Sequence, residues 1–287
     1  MAALSSESAR TATPLAESFA RNGYAFPVRA ISPERAAGLR DTLEAAEAGA
    51  PDAQAKSMAT GLPHLILPEF HDIVRDPAIT TPVSEILGED LLVWGCSFFT
   101  KEPRTKSFVS WHQDLTYWGL DDADKVTAWV ALSPATVGSG CMRFVPGSHT
   151  QQIVPHKDTF DPDNLLTRGQ EVAVDVKDED AIDVELQPGE MSLHHGRIFH
   201  ASHPNSSDDR RIGLAIRYIK PSMRQTSGVK TVAVLARGED RFGNFELAGR
   251  PQGGFAEADI ECCRKAFRRR DEILYSGAAD TGRRETA

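Results

Sequence analysis

The segment Trp111-His112-Gln113-Asp114 places an imidazole and a carboxylate two residues apart. On an extended stretch, residues i and i+2 project to the same side, so His112 and Asp114 converge on one point. A further imidazole can come from the stretch between Leu193 and Ser202, which carries His194, His195 and His200. Two histidines and one carboxylate on one face of a metal leave three positions open, the donor set of non-haem Fe(II) oxygenation. The same donors would suit zinc and a hydrolytic water. An isolated His-x-Asp pair also arises by chance on surfaces, so its neighbours must decide.

The strongest neighbour is Arg211, which opens a strand of alternating character. Arg211, Gly213, Ala215 and Arg217 share one face, and Ile212, Leu214, Ile216 and Tyr218 share the other. An arginine projecting among small residues can present its planar fork to a carboxylate. A solvated edge charge is the commoner role of a strand arginine. Beside a candidate metal site, the fork is the reading that explains more.

These residues need a β framework, and the chain supplies one from about residue 91 onward. Runs at 91–100, 126–132, 141–145, 172–176, 182–186, 191–195 and 212–219 are short, β-type and broken by turns such as Pro146-Gly147 and Pro188-Gly189. So many strands with no helix between them predict a sandwich or jelly roll, mainly β with flanking helices. Upstream, residues 1–13 read as a frayed tail, 15–22 as a helix stopped by Gly23, and 24–28 as a strand. Ser32 caps a helix with Pro33 at its first position and Ala36, Leu39, Leu43 and Ala46 as its apolar stripe. Residues 48–60 read as a loop, 78–87 as a helix, and roughly 256–275 as another whose Arg264, Lys265 and Arg268 to Arg270 form a solvated basic face. Cys262 and Cys263 are expected to pack that helix. One domain spans 1–287, with a helical part at 14–90, a core at 91–220 and an extension at 221–287.

Composition narrows the class. Lys plus Arg is 32 and Asp plus Glu is 41 among 287 residues, a net charge of −9. That balance argues against sequence-independent nucleic-acid binding, which needs a basic face. No apolar run approaches the roughly 18 residues of a membrane span, and the first residues lack the pattern of a secretory signal. The four cysteines contain no CxxC pair. A reduced, cytoplasmic protein with a small-molecule substrate is expected, its oligomeric state open. No Walker loop or dinucleotide glycine fingerprint occurs.

With these motifs in order, the chain resembles the phytanoyl-CoA dioxygenase family of Fe(II)/2-oxoglutarate oxygenases. The resemblance rests on Trp111-His-Gln-Asp, on Val126-Thr-Ala-Trp-Val-Ala-Leu, on the segment from Gly138 to His149, on Leu186-Gln-Pro-Gly-Glu, and on the segment from His200 to Arg211. It implies a double-stranded β-helix (a cupin-like jelly roll) with His112, Asp114 and His200 holding Fe(II). It places Arg211 and Ser202 on the far carboxylate of 2-oxoglutarate, with Gln113, Trp129 and Lys101 as further cosubstrate contacts. It implies O2 as oxidant and succinate and CO2 as coproducts. Related halogenases carry a small residue in place of the carboxylate; Asp114 is present here, which favours hydroxylation or a similar C–H oxidation such as desaturation. A zinc hydrolase and a non-catalytic jelly-roll binding protein are the rivals from other classes, and neither accounts for Arg211 and Ser202.

The substrate has no readable code. Segments 48–72, 102–110, 115–125 and 220–250 are expected to form the rim. Arg104, Tyr117, Trp118, His195 and Arg224 mix cationic and aromatic groups near the ligands, which suits a small anionic or zwitterionic molecule. Exposure of both Arg104 and Arg224 to bulk solvent would overturn that argument.

Overall fold

The computed structural model describes residues 13–274 apart from Thr167; the expected tail at 1–12 lies outside the described residues. Among the described residues, five α-helices and the edge strand of the larger sheet come before the other strands in the chain. Helix α1 (Pro14–Asn22) is capped by the Thr13 hydroxyl, which accepts from Ala16 N, and it ends at left-handed Gly23. Strand β1 (Tyr24–Arg29) follows. Helix α2 (Pro33–Gly49) has the predicted Ser32 cap and buries Ala36, Leu39, Leu43 and Ala46. The stretch expected to be a loop is instead helix α3 (Ala53–Gly61), because Asp52 accepts from Ala55 N at 2.7 Å and Ala55, Met58 and Ala59 are buried. Packing of a short alanine-rich segment overrides its weak periodicity. Helices α4 (Pro68–Ile73) and α5 (Pro77–Leu87) complete this part.

The strands are β2 (Leu91–Lys101), β3 (Val109–His112), β4 (Lys125–Ala131), β5 (Met142–Phe144), β6 (His156–Asp158), β7 (Gln170–Val172), β8 (Ile182–Val184), β9 (Glu190–His195), β10 (His200–Ser202), β11 (Arg211–Ile219), β12 (Val232–Arg237) and β13 (Glu246–Leu247). They form a seven-stranded sheet in the order β1-β9-β4-β11-β2-β12-β13 and a four-stranded sheet in the order β3-β10-β5-β8. The run at 172–176 is a correction: β7 closes at Val172 after pairing with β6. Helix α6 (Glu257–Leu274) returns over the molecule and buries Cys263. Among the described residues no helix is long and apolar enough to cross a membrane.

Strand β11 is buried along nearly its whole length, so its alternation separates two interiors rather than interior from solvent. Ile212, Leu214, Ile216 and Tyr218 join the helices' Leu39, Phe70, Ile79 and Val83 in the large core. Ala215 faces the other way, into a cluster with Trp129, Met142, Phe144 and Val184 between the two sheets. This is the expected jelly roll, with helices covering one face of the larger sheet. Its register sets the site: His200 pairs with His112, and Arg211 pairs with Lys101.

Candidate active site

His112, Asp114 and His200 converge, with one donor atom of each lying within 4.8 Å of the others. Asp114 Oδ1 lies 3.6 Å from His112 Nε2 and 3.8 Å from His200 Nε2. Both histidines use their second nitrogen structurally: His112 Nδ1 donates to Ser110 O at 2.9 Å and His200 Nδ1 to Ile198 O at 3.0 Å. Carbonyls only accept, so each Nε2 keeps a free lone pair for a metal. The carboxylate is fixed in the same manner. Lys125 Nζ donates to Asp114 Oδ2 at 2.6 Å and Thr127 Oγ1 donates to it at 3.2 Å, which turns Oδ1 toward the histidines. Burial opposes ionisation of Asp114, but Lys125 and the two imidazoles outweigh it and hold the carboxyl well below its usual range. Burial pushes His200 down to about 3, so it stays neutral.

Beside this triad, a pocket is closed by Arg211, Ser202, Trp129, Met142 and His194. Arg211 is 1% exposed, yet its Nε and Nη2 have no hydrogen-bond partner. Burial lowers its pKa only to about 10, so the guanidinium remains charged. A buried charged donor pair without an acceptor is costly unless a ligand completes it. The guanidinium carbon lies 5.3 Å from the Trp129 ring centre, and Lys101 Nζ donates to Ser202 Oγ at 2.6 Å. An anion with metal-binding oxygens at one end and a carboxylate at the other fits these groups. Trp129 can lie over β11 only because position 213 is glycine, where a Cβ would come 1.8 Å from the indole. Gly213→Ala is therefore expected to displace Trp129, cost about 1–3 kcal/mol and weaken 2-oxoglutarate binding. Thermal melting and cosubstrate titration of the variant would reveal both losses, and an unchanged melt would contradict the packing argument.

Residues 19–213 match the phytanoyl-CoA dioxygenase family. The chain belongs to that family. It is similar to a probable alpha-ketoglutarate-dependent hypophosphite dioxygenase of Stutzerimonas stutzeri, 28% identical over 159 residues that make up 54% of each chain. The chain thus spans about half the length of that relative. Among solved structures it resembles the non-heme monooxygenase ThoJ, 35% identical with a TM-score of 0.82, covering 91% of this chain and 98% of that one. The structure of CytC3 with Fe(II) and alpha-ketoglutarate, 23% identical with a TM-score of 0.62 over 82% of this chain and 92% of the other, shares the fold. The relatives it matches are phytanoyl-CoA and alpha-ketoglutarate-dependent dioxygenases, and the His112, Asp114 and His200 cluster offers a donor set that Fe(II) can use.

Several residues of this phytanoyl-CoA dioxygenase family member sit elsewhere than expected. Gln113 is a correction. Its amide accepts from Val154 N at 2.9 Å and donates to Arg197 O at 2.8 Å, bracing the segments that carry the two histidines and leaving nothing for a cosubstrate. Lys101 stands behind Ser202, bonded to its hydroxyl and to the His203 and Gly140 carbonyls, and orients that hydroxyl instead of lining the pocket. Arg104 is 75% exposed and paired with Asp208, and Arg224 is exposed as well. His195 packs against Phe19 and His149, and its Nδ1 accepts from Arg197 N at 3.0 Å. The Tyr117 side chain lies outside the described part. Of the four substrate candidates with described side chains, only Trp118 lines a cavity beside the triad, and the exposed Arg104 and Arg224 cannot hold an anionic substrate there.

A cavity of about 380 Å³ adjoins the triad, sharing Phe99, His112, Asp114 and Arg217 with the smaller pocket. Trp94 and Trp118 stack along it with ring centres 4.5 Å apart. Gln225, with its amide oxygen toward Trp94 Nε1 at 2.8 Å, ties the Trp94 indole to the Trp118 and Gly119 carbonyls. Part of the predicted rim is correct, since Thr60, Leu62, His64 and Leu65 line this cavity. Leu165, Leu166, Ala266 and Arg270 also line it and were missed. Arg270 corrects the reading of α6 as presenting a wholly solvated basic face, whereas Lys265 and Arg269 do pair outward with Glu246. Lys125, Thr127 and Arg217 are further site residues without a sequence signal of their own, apart from the shared face of Arg217 with Arg211, and His194, one of the three candidate imidazoles, lines the small pocket.

Proposed function

We propose that this oxygenase hydroxylates an unactivated C–H bond of a small molecule, releasing succinate and CO2. His112, Asp114 and His200 hold Fe(II), and Arg211 with the Ser202 hydroxyl holds the far carboxylate of 2-oxoglutarate against Trp129. The observation that carries this reading is the pairing of three pre-oriented donors with a buried, unsatisfied guanidinium. A zinc hydrolase does not require such a guanidinium beside its metal, and a binding protein does not require the three metal donors beside its guanidinium. Iron with 2-oxoglutarate and O2 supplies the oxidising power when bound. The chain supplies the rest. Lys125 and Thr127 fix the carboxylate, the carbonyls of Ser110 and Ile198 fix the imidazoles, and the aromatic walls keep water from the reacting carbon. Asp114 occupies the position that a halide would need, which supports hydroxylation over halogenation. Anaerobic titration with Fe(II) and then 2-oxoglutarate is expected to raise a weak visible charge-transfer band. Absence of the band with both present would contradict the assignment.

A further inference from the structure

Arg217 lies on the same face of β11 as Arg211, six residues further along, with only Gly213 and Ala215 between them on that face. At the strand rise this separates their Cα atoms by roughly 20 Å, so the two guanidinium groups serve different ends of the site. Arg217 lines both the small pocket and the 380 Å³ cavity. Its Nη1 donates to Ser97 Oγ at 2.9 Å, and its guanidinium carbon lies 5.5 Å from the Trp118 ring centre and 5.8 Å from that of Phe99. Among the described residues no carboxylate forms an ion pair with it. The carboxylate that faces it, Asp114, already receives Lys125 and Thr127.

Charge makes the case sharper. Asp114 is the sole carboxylate among the residues lining the two cavities, whereas Arg211, Arg217 and Arg270 all line them. The charges of Fe(II) and dianionic 2-oxoglutarate cancel, and Lys125 cancels Asp114. Arg211 faces the cosubstrate, which leaves Arg217 and Arg270 on the substrate space, and of these two the half-buried Arg217 also lines the small pocket beside the triad. A cation in such a position favours an anionic ligand, and a guanidinium favours one with two oxygens. The same cavity offers the stacked Trp94–Trp118 wall and His64, 1% exposed, whose Nδ1 has no partner.

Resting on the oxygenase reading above, we propose that the substrate is an organic carboxylate on an apolar or aromatic body, and that Arg217 binds its acid group. The body lies along Trp94 and Trp118, and this presents a neighbouring carbon to the metal beside Asp114. Arg217 is thereby the residue that selects acids over neutral molecules.

The test uses the full chain loaded with Mn(II) and 2-oxoglutarate, with 3-phenylpropionate and its uncharged amide as probes in calorimetric titration. The carboxylate is expected to bind roughly 10-fold or more tightly than the amide. Arg217→Met should erase that preference, and Arg217→Lys should restore part of it, while 2-oxoglutarate affinity stays near the wild-type value in both. Equal binding of the two probes to the wild type, including no binding of either, overturns the proposal. So does a preference that survives unchanged in both variants. The wild-type comparison and the lysine variant decide the matter even if the methionine variant does not fold. The charge-transfer band of the Fe(II) protein separates the two readings: a preparation that shows the band but no acid preference refutes Arg217 as anchor and leaves the oxygenase intact.

Discussion

Asp114→Ala is expected to abolish turnover and, unlike His112→Ala or His200→Ala, to lower the melting temperature sharply even before metal is added. All three changes remove one of three donors around the metal, so each should eliminate succinate release and weaken binding of Fe(II) or Co(II). Asp114 alone has a second duty. Lys125 is fully buried and its ammonium bonds Asp114 Oδ2 at 2.6 Å. Removing the carboxylate strands that cation in the interior, and breaking one side of a buried ion pair typically costs about 3–5 kcal/mol. Asp114→Asn keeps an acceptor for Lys125 and should recover much of the stability without the activity. Thermal melts of the metal-free proteins, set beside a metal titration of each, separate the two duties. Wild-type succinate release by any one of these variants at limiting Fe(II) would remove that residue from the triad. A melt of Asp114→Ala no lower than that of His200→Ala would contradict the buried pair.

Arg211→Ala should raise the Michaelis constant for 2-oxoglutarate by roughly 10- to 150-fold, the equivalent of about 1.5–3 kcal/mol for a lost charge-assisted contact. Arg211→Lys should fall between this variant and the wild type, since an ammonium offers a point charge where the site is shaped for a planar fork. The structure sharpens the expectation, because Nε and Nη2 are the two donors left without partners and a lysine cannot supply both. The neighbouring residue is the control. Arg210 points to the opposite side, where it meets Glu47 and Glu102 at 2.9 Å each, so Arg210→Ala should leave the cosubstrate constant unchanged. Unchanged constants in both Arg211 variants would move the cosubstrate anchor elsewhere.

The contrast between Arg211 and Arg224 shows where reading the chain alone succeeds. Arg211 sits in a nine-residue strand whose period-two pattern assigns each side chain to a face before any folding is known. Arg224 sits in an irregular segment with no period, and the residue turned inward there is its neighbour Gln225. Gln113 failed for a related reason. Adjacency to His112 and Asp114 puts it near the metal, yet on an extended segment an intervening residue faces the other way, toward Val154 and Arg197.

Local periodicity and short-range spacing therefore determined the strand-rich core, the helix capped by Ser32, the convergence of His112 with Asp114, and the common face of Arg211 and Arg217. Spacing left His194, His195 and His200 open as the third imidazole, the family resemblance pointed to His200, and the tertiary structure supplies the physical reason. Antiparallel pairing of β10 with β3 brings His200 opposite His112, and His195 ends beneath α1. Tertiary structure alone brought Lys125 to Asp114, Trp94 onto Trp118, and Arg270 from the far end of the chain into the cavity beside the triad. The physical reason is that faces within one element follow from backbone geometry. Contacts between distant elements follow from sheet register and helix docking, which minimise exposed apolar area over the whole molecule and leave no periodic trace in the residues that meet.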